Sequence, residues 1–248
     1  MAKTTRILMD MPITVEICDP GASVTDIDRV FDYFISVDNQ FSTFKPDSEI
    51  SRYNRKIISY DQLSGDLKLI LRLCQDTKND THGYFDIHRP DGTVDPSGLV
   101  KGWAIFNAAN LIKKLGFKNY FVDAGGDIQV NGLNSQGKPW VIGIRNPQNR
   151  DQNVKVISIG DRGVATSGTY VRGQHVYDPF NRQKPITEIV SLTVIGPDIY
   201  EADRFATAAL AMRDKGVAFI ASLEGFEAYS INNQGVATFT PGFSQYVV

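Results

Sequence analysis

Cysteine is nearly missing from this chain of 248 residues: Cys18 and Cys74 are the only two, and they have no CxxC spacing. That excludes a disulfide framework and a thiolate zinc site. Two thiols of this kind are expected to be buried and reduced, which favours the cytoplasm. Histidine is scarce as well, with only His82, His88 and His175. Neither sign of charge dominates: 26 basic residues stand against 28 acidic ones, a net charge of −2. Nothing in that balance calls for a nucleic acid or an anionic membrane surface as partner. No apolar run approaches the ~20 residues of a membrane span. The opening MAKTTRILMDMPITVEI has only short apolar runs, broken by Asp10 and Pro12, with neither the apolar core nor the cleavage site of a signal peptide. Neither GxGxxG nor GxxxxGK[ST] occurs, so the Rossmann and P-loop readings have no motif to rest on.

What is present describes an ordinary globular protein, with 42% hydrophobic and 22% charged residues. Residues 1–248 suffice for a single large domain with a substantial core. ITVEI (13–17) reads as a strand. The next segment carries Val30, Phe31, Phe34 and Val37 at helical spacing. A loop over 41–54 follows, then an amphipathic helix with Gly83 as its C-terminal cap. A third helix begins near Leu99 and closes at Gly116. From Asn119 the text turns to alternating strands, one more helix over 201–212, and a short helix with edge strands at the end. Helices first and strands later, without βαβ alternation, predict an α+β fold.

The most informative stretch is EADRFATAALAM (201–212), which follows the β-branched run SLTVIG and the breaker Pro197-Asp198. Asp203 and Thr207 are four apart, so a carboxylate and a hydroxyl share one face of a helix that is otherwise small and apolar. Two oxygen ligands there suit a hard cation such as Mg²⁺. The same spacing also fits a buried helix whose aspartate faces the positive end of the dipole and whose threonine bonds back to a carbonyl. In DPSGLVKGWA (95–104), turn chemistry leads into a helix start that offers N–H groups to phosphate, with Lys101 adding a cation. Gly98 permits close approach, so its carbonyl is available to an ion. Asp123 and Asp127 in VDAGGDIQVNG read as turn aspartates or as functional carboxylates. VATSGTY (164–170) reads as a hydroxyl-rich loop fit to wrap phosphate, and His175 in HVYDP as a structural histidine or a proton acceptor.

Taken together these pieces resemble the ApbE family, the FAD:protein FMN transferases. MDMPIT is similar to the family's MGTPxT, FSTFKPDSEISRYN to FSTY…SELSxLN, and YFD to (A/Y)FD. DPSGLVKGWA resembles DxSGIAKGYA, VDAGGDI resembles VNxGGDI, and WVIGIRNP resembles WxVGIxxP. VATSGTY resembles ATSGxY, HVYDP resembles HIIDPxTGxP, and EADRFATAALAM resembles ADALATALFVMG. The pieces run in family order from about residue 9 to residue 212. Three departures stand out. IHRPDG replaces the family's TVGPL, Phe180-Asn181 replaces the TG after HIIDP, and no lipobox cysteine lies near the start.

The resemblance implies a two-lobed α+β fold with mixed or antiparallel sheets, flanking helices and FAD between the lobes. It implies Asp203, Thr207 and the Gly98 carbonyl as magnesium ligands and His175 as catalytic base. Met9, Phe44, Tyr84, Phe85, Asp86, Asp95, Lys101 and Tyr177 would contact FAD. The implied reaction is Mg²⁺-dependent transfer of FMN from FAD to a Thr or Ser hydroxyl of a target flavoprotein, releasing AMP. The competing readings are a Mg²⁺-dependent FAD pyrophosphatase and a non-catalytic FAD-binding protein.

Overall fold

The computed structural model describes residues 1–149, 151–169 and 176–248. The first two strands, β1 (Ala2–Leu8) and β2 (Met11–Ile17), form an antiparallel hairpin. Met9 and Asp10 at its tip both have positive φ, 52° and 58°. Such a pair turns with the right-handed twist of the flanking strands, although Asn-Gly is the usual choice.

Three helices follow. α1 (Val24–Phe41) starts at a capping box in which Ser23 and Asp26 satisfy each other's backbone N–H. It buries Ile27, Val30, Phe31, Phe34, Val37 and Phe41, the predicted stripe with both ends extended. The predicted loop over 41–54 is only half a loop. Ser48 caps a short helix, α2 (Glu49–Asn54), and the Ser48 and Ser51 hydroxyls bond back to the Ser42 carbonyl at 2.6 and 3.3 Å. α3 (Gly65–Asp80) ends in a Schellman arrangement, with Gly83 N–H donating to the Lys78 carbonyl and His82 N–H to that of Asn79. His82 itself takes the left-handed position, with φ 52°, one residue before the expected glycine.

α4 (Ser97–Lys114) begins two residues earlier than the sequence suggests. Then come β3 (Tyr120–Ala124), β4 (Asp127–Asn131), β5 (Val141–Arg145), β6 (Asn153–Ser158), β7 (Gly163–Gly168) and β8 (Ile189–Gly196). Most of the predicted loop VATSGTY is therefore strand. Asp198 caps α5 (Ile199–Ala211), accepting from Glu201 N–H at 3.0 Å. α6 (Gly216–Ala221), β9 (Glu227–Asn232) and β10 (Ala237–Phe239) complete the chain, and β9 is an inner strand rather than the edge strand expected.

Eight strands form one sheet in the order β1-β2-β3-β4-β7-β8-β9-β10, and β5 pairs with β6 in a second. Every pairing between these strands is antiparallel. The α+β expectation holds, with antiparallel rather than mixed sheets. Strand alternation sends side chains to two cores. Leu192 and Val194 join the larger one with α1, α4 and α5, whereas Ile195 joins the smaller one around β5, β6 and Phe243. On β4, Ile128 and Val130 take the smaller core, so Asp127 and Gln129 must point to the helix side. Gln129 there accepts from Ile199 N–H at 2.9 Å, which fixes the start of α5 against the sheet. Among the described residues no helix is long and apolar enough to cross a membrane.

Candidate functional site

α4 and α5 approach each other closely because small residues face each other at their contact. A Cβ added at Gly102 would lie 2.6 Å from Asp203 Cβ, and one at Gly98 would lie 3.3 Å from Thr207 Cγ2. Only glycine lets the two backbones come this near. The consequence is that Asp203 and Thr207 meet the first two turns of α4. Gly102 N–H donates to Asp203 Oδ2 at 2.7 Å, and Thr207 Oγ1 stands 3.5 Å from the Gly98 carbonyl. That last separation is too long for a good O–H···O bond.

Asp203 is 2% exposed and Asp127 is 1% exposed. The Lys101 ammonium lies between them, paired with Asp127 Oδ2 and 3.6 Å from Asp203 Oδ1. Asp127 Oδ1 accepts from Thr166 N–H at 2.9 Å, so β7 aims this carboxylate at α4. Burial pushes the Asp203 carboxyl well above its ordinary value; Lys101 opposes that, and Asp127 adds to it. Asp123, at the end of β3, is raised for the same first reason, and Gly126 N–H opposes it at 2.7 Å.

A second group gathers at the segment before α4. Asp86 accepts from His88 N–H at 3.0 Å and pairs with His88 Nδ1 at 2.8 Å, Lys78 at 3.1 Å and Arg182 at 3.4 Å. Burial alone would raise its carboxyl, but the His88 and Lys78 hydrogen bonds win and hold it below the usual range. Tyr177 donates its hydroxyl to the Asp86 carbonyl at 2.7 Å. Tyr84 meets the edge of Phe180 with centroids 5.0 Å apart. Asp95 accepts from Ser97 N–H at 3.1 Å and pairs with Arg89. Phe85 is buried and links the two groups, since its Cε2 would touch a Cβ at Gly98.

The sequence model of the ApbE family matches residues 9–90 and 88–230, most of the chain. This chain belongs to the ApbE family. It is 27% identical to the FAD:protein FMN transferase of Vibrio cholerae over 93% of this chain and 84% of that protein. It is 30% identical to the Salmonella typhimurium FAD:protein FMN transferase over 67% of this chain. With the Salmonella and Klebsiella pneumoniae relatives the match spans 51% and 49% of their length. Two solved structures share the fold across 99% of this chain and 98% of their own. The flavin transferase ApbE from Vibrio cholerae superposes with a TM-score of 0.85 at 24% identity. The ApbE protein from Thermotoga maritima superposes with 0.86 at 19%.

Most residues singled out through the family motifs fall into the two groups. Gly98, Lys101, Asp203 and Thr207 share the α4–α5 contact, and Tyr84, Phe85, Asp86, Asp95 and Tyr177 share the other. Met9 sits half-buried at the hairpin tip and Phe44 projects 85% exposed; neither takes part in the hydrogen bonds or ion pairs of the two groups. His175 lies outside the described residues, as does Tyr170 of the ATSGTY motif. The expectation of N–H groups at the α4 start offered to phosphate is corrected in part. Asp95 takes the Ser97 N–H, and the Pro96 carbonyl takes that of Leu99 at 2.9 Å.

Asp127 is the carboxylate the sequence undervalued. Its motif reads as a glycine turn, and only strand alternation together with a lysine 26 positions away turns it into a buried ion pair. Arg89 and Arg182 went unnoticed as well, because nothing in sequence brings residues 89 or 182 to Asp95 or Asp86. The Gly98 carbonyl, Thr207 Oγ1 and the Asp203 carboxylate nevertheless share the α4–α5 contact. Among the described residues no cluster of three His, Cys, Asp or Glu side chains forms a metal site. The donors that could hold a cation at this contact are carbonyl, hydroxyl and carboxylate oxygens, the set that hard cations take.

Proposed function

We propose that this chain transfers FMN from FAD to a Thr or Ser hydroxyl of a target flavoprotein, releasing AMP. The convergence of the Gly98 carbonyl, Thr207 Oγ1 and Asp203 beside Lys101 carries the reading. It supplies oxygen donors and a cation at one buried joint, as a pyrophosphate substrate needs. The curated relatives named FAD:protein FMN transferase support it. Asp203, Thr207 and the Gly98 carbonyl would hold Mg²⁺, which when bound neutralises pyrophosphate charge.

The remaining work falls to the chain's own groups. Lys101, oriented by Asp127, presents a positive charge beside the phosphates, where a low-dielectric setting strengthens it. Tyr84 and Tyr177 would line the place of the flavin or the purine, and Asp86 stiffens the segment that carries Tyr84 through four contacts to His88, Lys78 and Arg182. In the transfer step the acceptor oxygen bonds to the FMN phosphorus as the bond to the AMP oxygen breaks. The hydroxyl proton passes to His175, whose ordinary pKa near 6.5 suits a base at neutral pH.

The test is incubation with FAD and Mg²⁺, with and without an acceptor flavoprotein. Expected is flavin that stays on the acceptor through denaturation, with a mass gain of one FMN phosphodiester, and none when the acceptor hydroxyl is replaced by Ala. Asp203→Asn should lose this transfer at limiting Mg²⁺ while remaining folded. Rapid release of free FMN with no protein-bound flavin would make the chain a pyrophosphatase. Tight binding of intact FAD without turnover would make it a carrier.

A further inference from the structure

α5 runs directly into Arg213, whose φ of 59° lies in the left-handed region. Glycine occupies that region freely and an arginine does not. The side chain is only 13% exposed, and its guanidinium is spent on a single neighbouring segment. It donates to the Pro185 carbonyl at 3.2 Å and the Lys184 carbonyl at 2.9 Å, pairs with Glu188, and lies 3.6 Å from Asp178 Oδ2.

All four acceptors belong to residues 178–188, a stretch without helix or strand that is shaped by successive turns at Asp178 and Asn181. The opposite side of this strap is clasped to residues 84–88. Tyr177 donates to the Asp86 carbonyl, Arg182 lies 4.9 Å from the Tyr177 ring centroid and 3.4 Å from Asp86, and Phe180 meets Tyr84. The strap is thus slung between the end of the helix bearing Asp203 and Thr207 and the segment bearing Tyr84 and Asp86.

We propose that Arg213 is a positioning residue of the transfer site. Its guanidinium fastens the 178–188 strap to the C-terminus of α5 and so holds Tyr177 and Phe180 as a wall against Tyr84. Two carbonyls and two carboxylates arranged around one planar fork match a guanidinium and not the point charge of an ammonium. The fastening stands on these contacts alone; the consequence for turnover rests on the flavin-transfer reading above. Asp178 and Glu188 answer the guanidinium with charge, and Lys184 shares Glu188 at 2.8 Å.

The test compares Arg213→Gly, which relieves the backbone, with Arg213→Lys, which keeps the charge. Hydrogen exchange of the full chain without FAD reads the fastening, and FMN-transfer kinetics read its consequence. Expected for Arg213→Gly is an unchanged melting profile with exchange across 178–188 about tenfold faster. Its KM for FAD should rise about tenfold, with kcat changed far less. Arg213→Lys should restore neither to the parent's value. A merely structural arginine would alter melting without that split between KM and kcat. Parent-like exchange in Arg213→Gly, or faster exchange with an unaltered KM, overturns the proposal. Faster exchange in a chain whose parent transfers no FMN at all refutes the flavin-transfer reading, and the positioning role with it.

Discussion

Replacing Gly102 with alanine probes the joint on which the site depends. The new Cβ would lie 2.6 Å from Asp203 Cβ, 2.9 Å from the Ile199 carbonyl oxygen and 3.0 Å from Asp203 Oδ2. Packed carbons sit about 3.5–4.0 Å apart, so relief requires roughly 1 Å of separation between α4 and α5. Two of the three atoms belong to or adjoin backbone and cannot rotate away. Overpacking of this kind costs about 1–3 kcal/mol. An ordinary helical Gly→Ala change returns about 1 kcal/mol through helix propensity. The net expectation is a destabilisation of about 0–2 kcal/mol, small beside the functional effect. Moving Asp203 by about 1 Å relative to the Gly98 carbonyl and Thr207 should lower transfer by about 100-fold. It should also shift the Mg²⁺ titration to higher concentration. Gly98→Ala serves as the comparison, because its Cβ would meet Thr207 Cγ2 at 3.3 Å and Phe85 Cε2 at 3.4 Å, side-chain atoms that can give. Urea unfolding and an Mg²⁺ titration of FMN transfer would be run on both variants. A Gly102→Ala protein about 1 kcal/mol more stable than the parent, with an unchanged Mg²⁺ titration, would refute the reasoning.

Lys101→Met should leave Asp127 buried and unpaired and destabilise by about 3 kcal/mol, the low end of the range because the Lys101 side chain is 23% exposed. Adding Asp127→Asn should recover part of that in the same unfolding experiment; strict additivity of the two changes would sink the ion pair as a unit. Asp86 has a lowered carboxyl, so the unfolded chain binds its proton more readily than the folded one. Its stabilising contribution is therefore present above the ordinary carboxylate value of about 4 and is lost as pH falls through the lowered folded value. The stability gap between the parent and Asp86→Asn, measured by denaturant unfolding, should accordingly shrink between neutral and strongly acid pH; a gap that stays constant would show that the carboxylate's partners contribute nothing. The Cys18 thiol is pushed up to about 11 by burial and by Glu16. Thiol reagents at neutral pH should consequently label it far more slowly than a free cysteine peptide, and peptide-like labelling would contradict that environment.

The local parts of this protein were open to reading in the sequence. Asp203 and Thr207 share a face because helical geometry alone puts residues four apart side by side, and the strand and breaker before them mark where α5 starts. The α1 stripe and the glycines Gly83 and Gly116 after α3 and α4 follow from the same short-range rules. The short range also misled: VATSGTY looked like a loop because its residues are small and polar, yet its first residues are paired on both sides as β7. What the tertiary structure alone decided is which distant groups share a charge. Asp127 gained Lys101 because β4 must turn its odd residues to the helices once Ile128 and Val130 face the smaller core. Arg213 gained the strap because the end of α5 stops beside residues 184–188. A helix fixes its neighbours by covalent spacing, whereas ion pairs across a sheet and a returning loop form only where the packing of both cores leaves the chain.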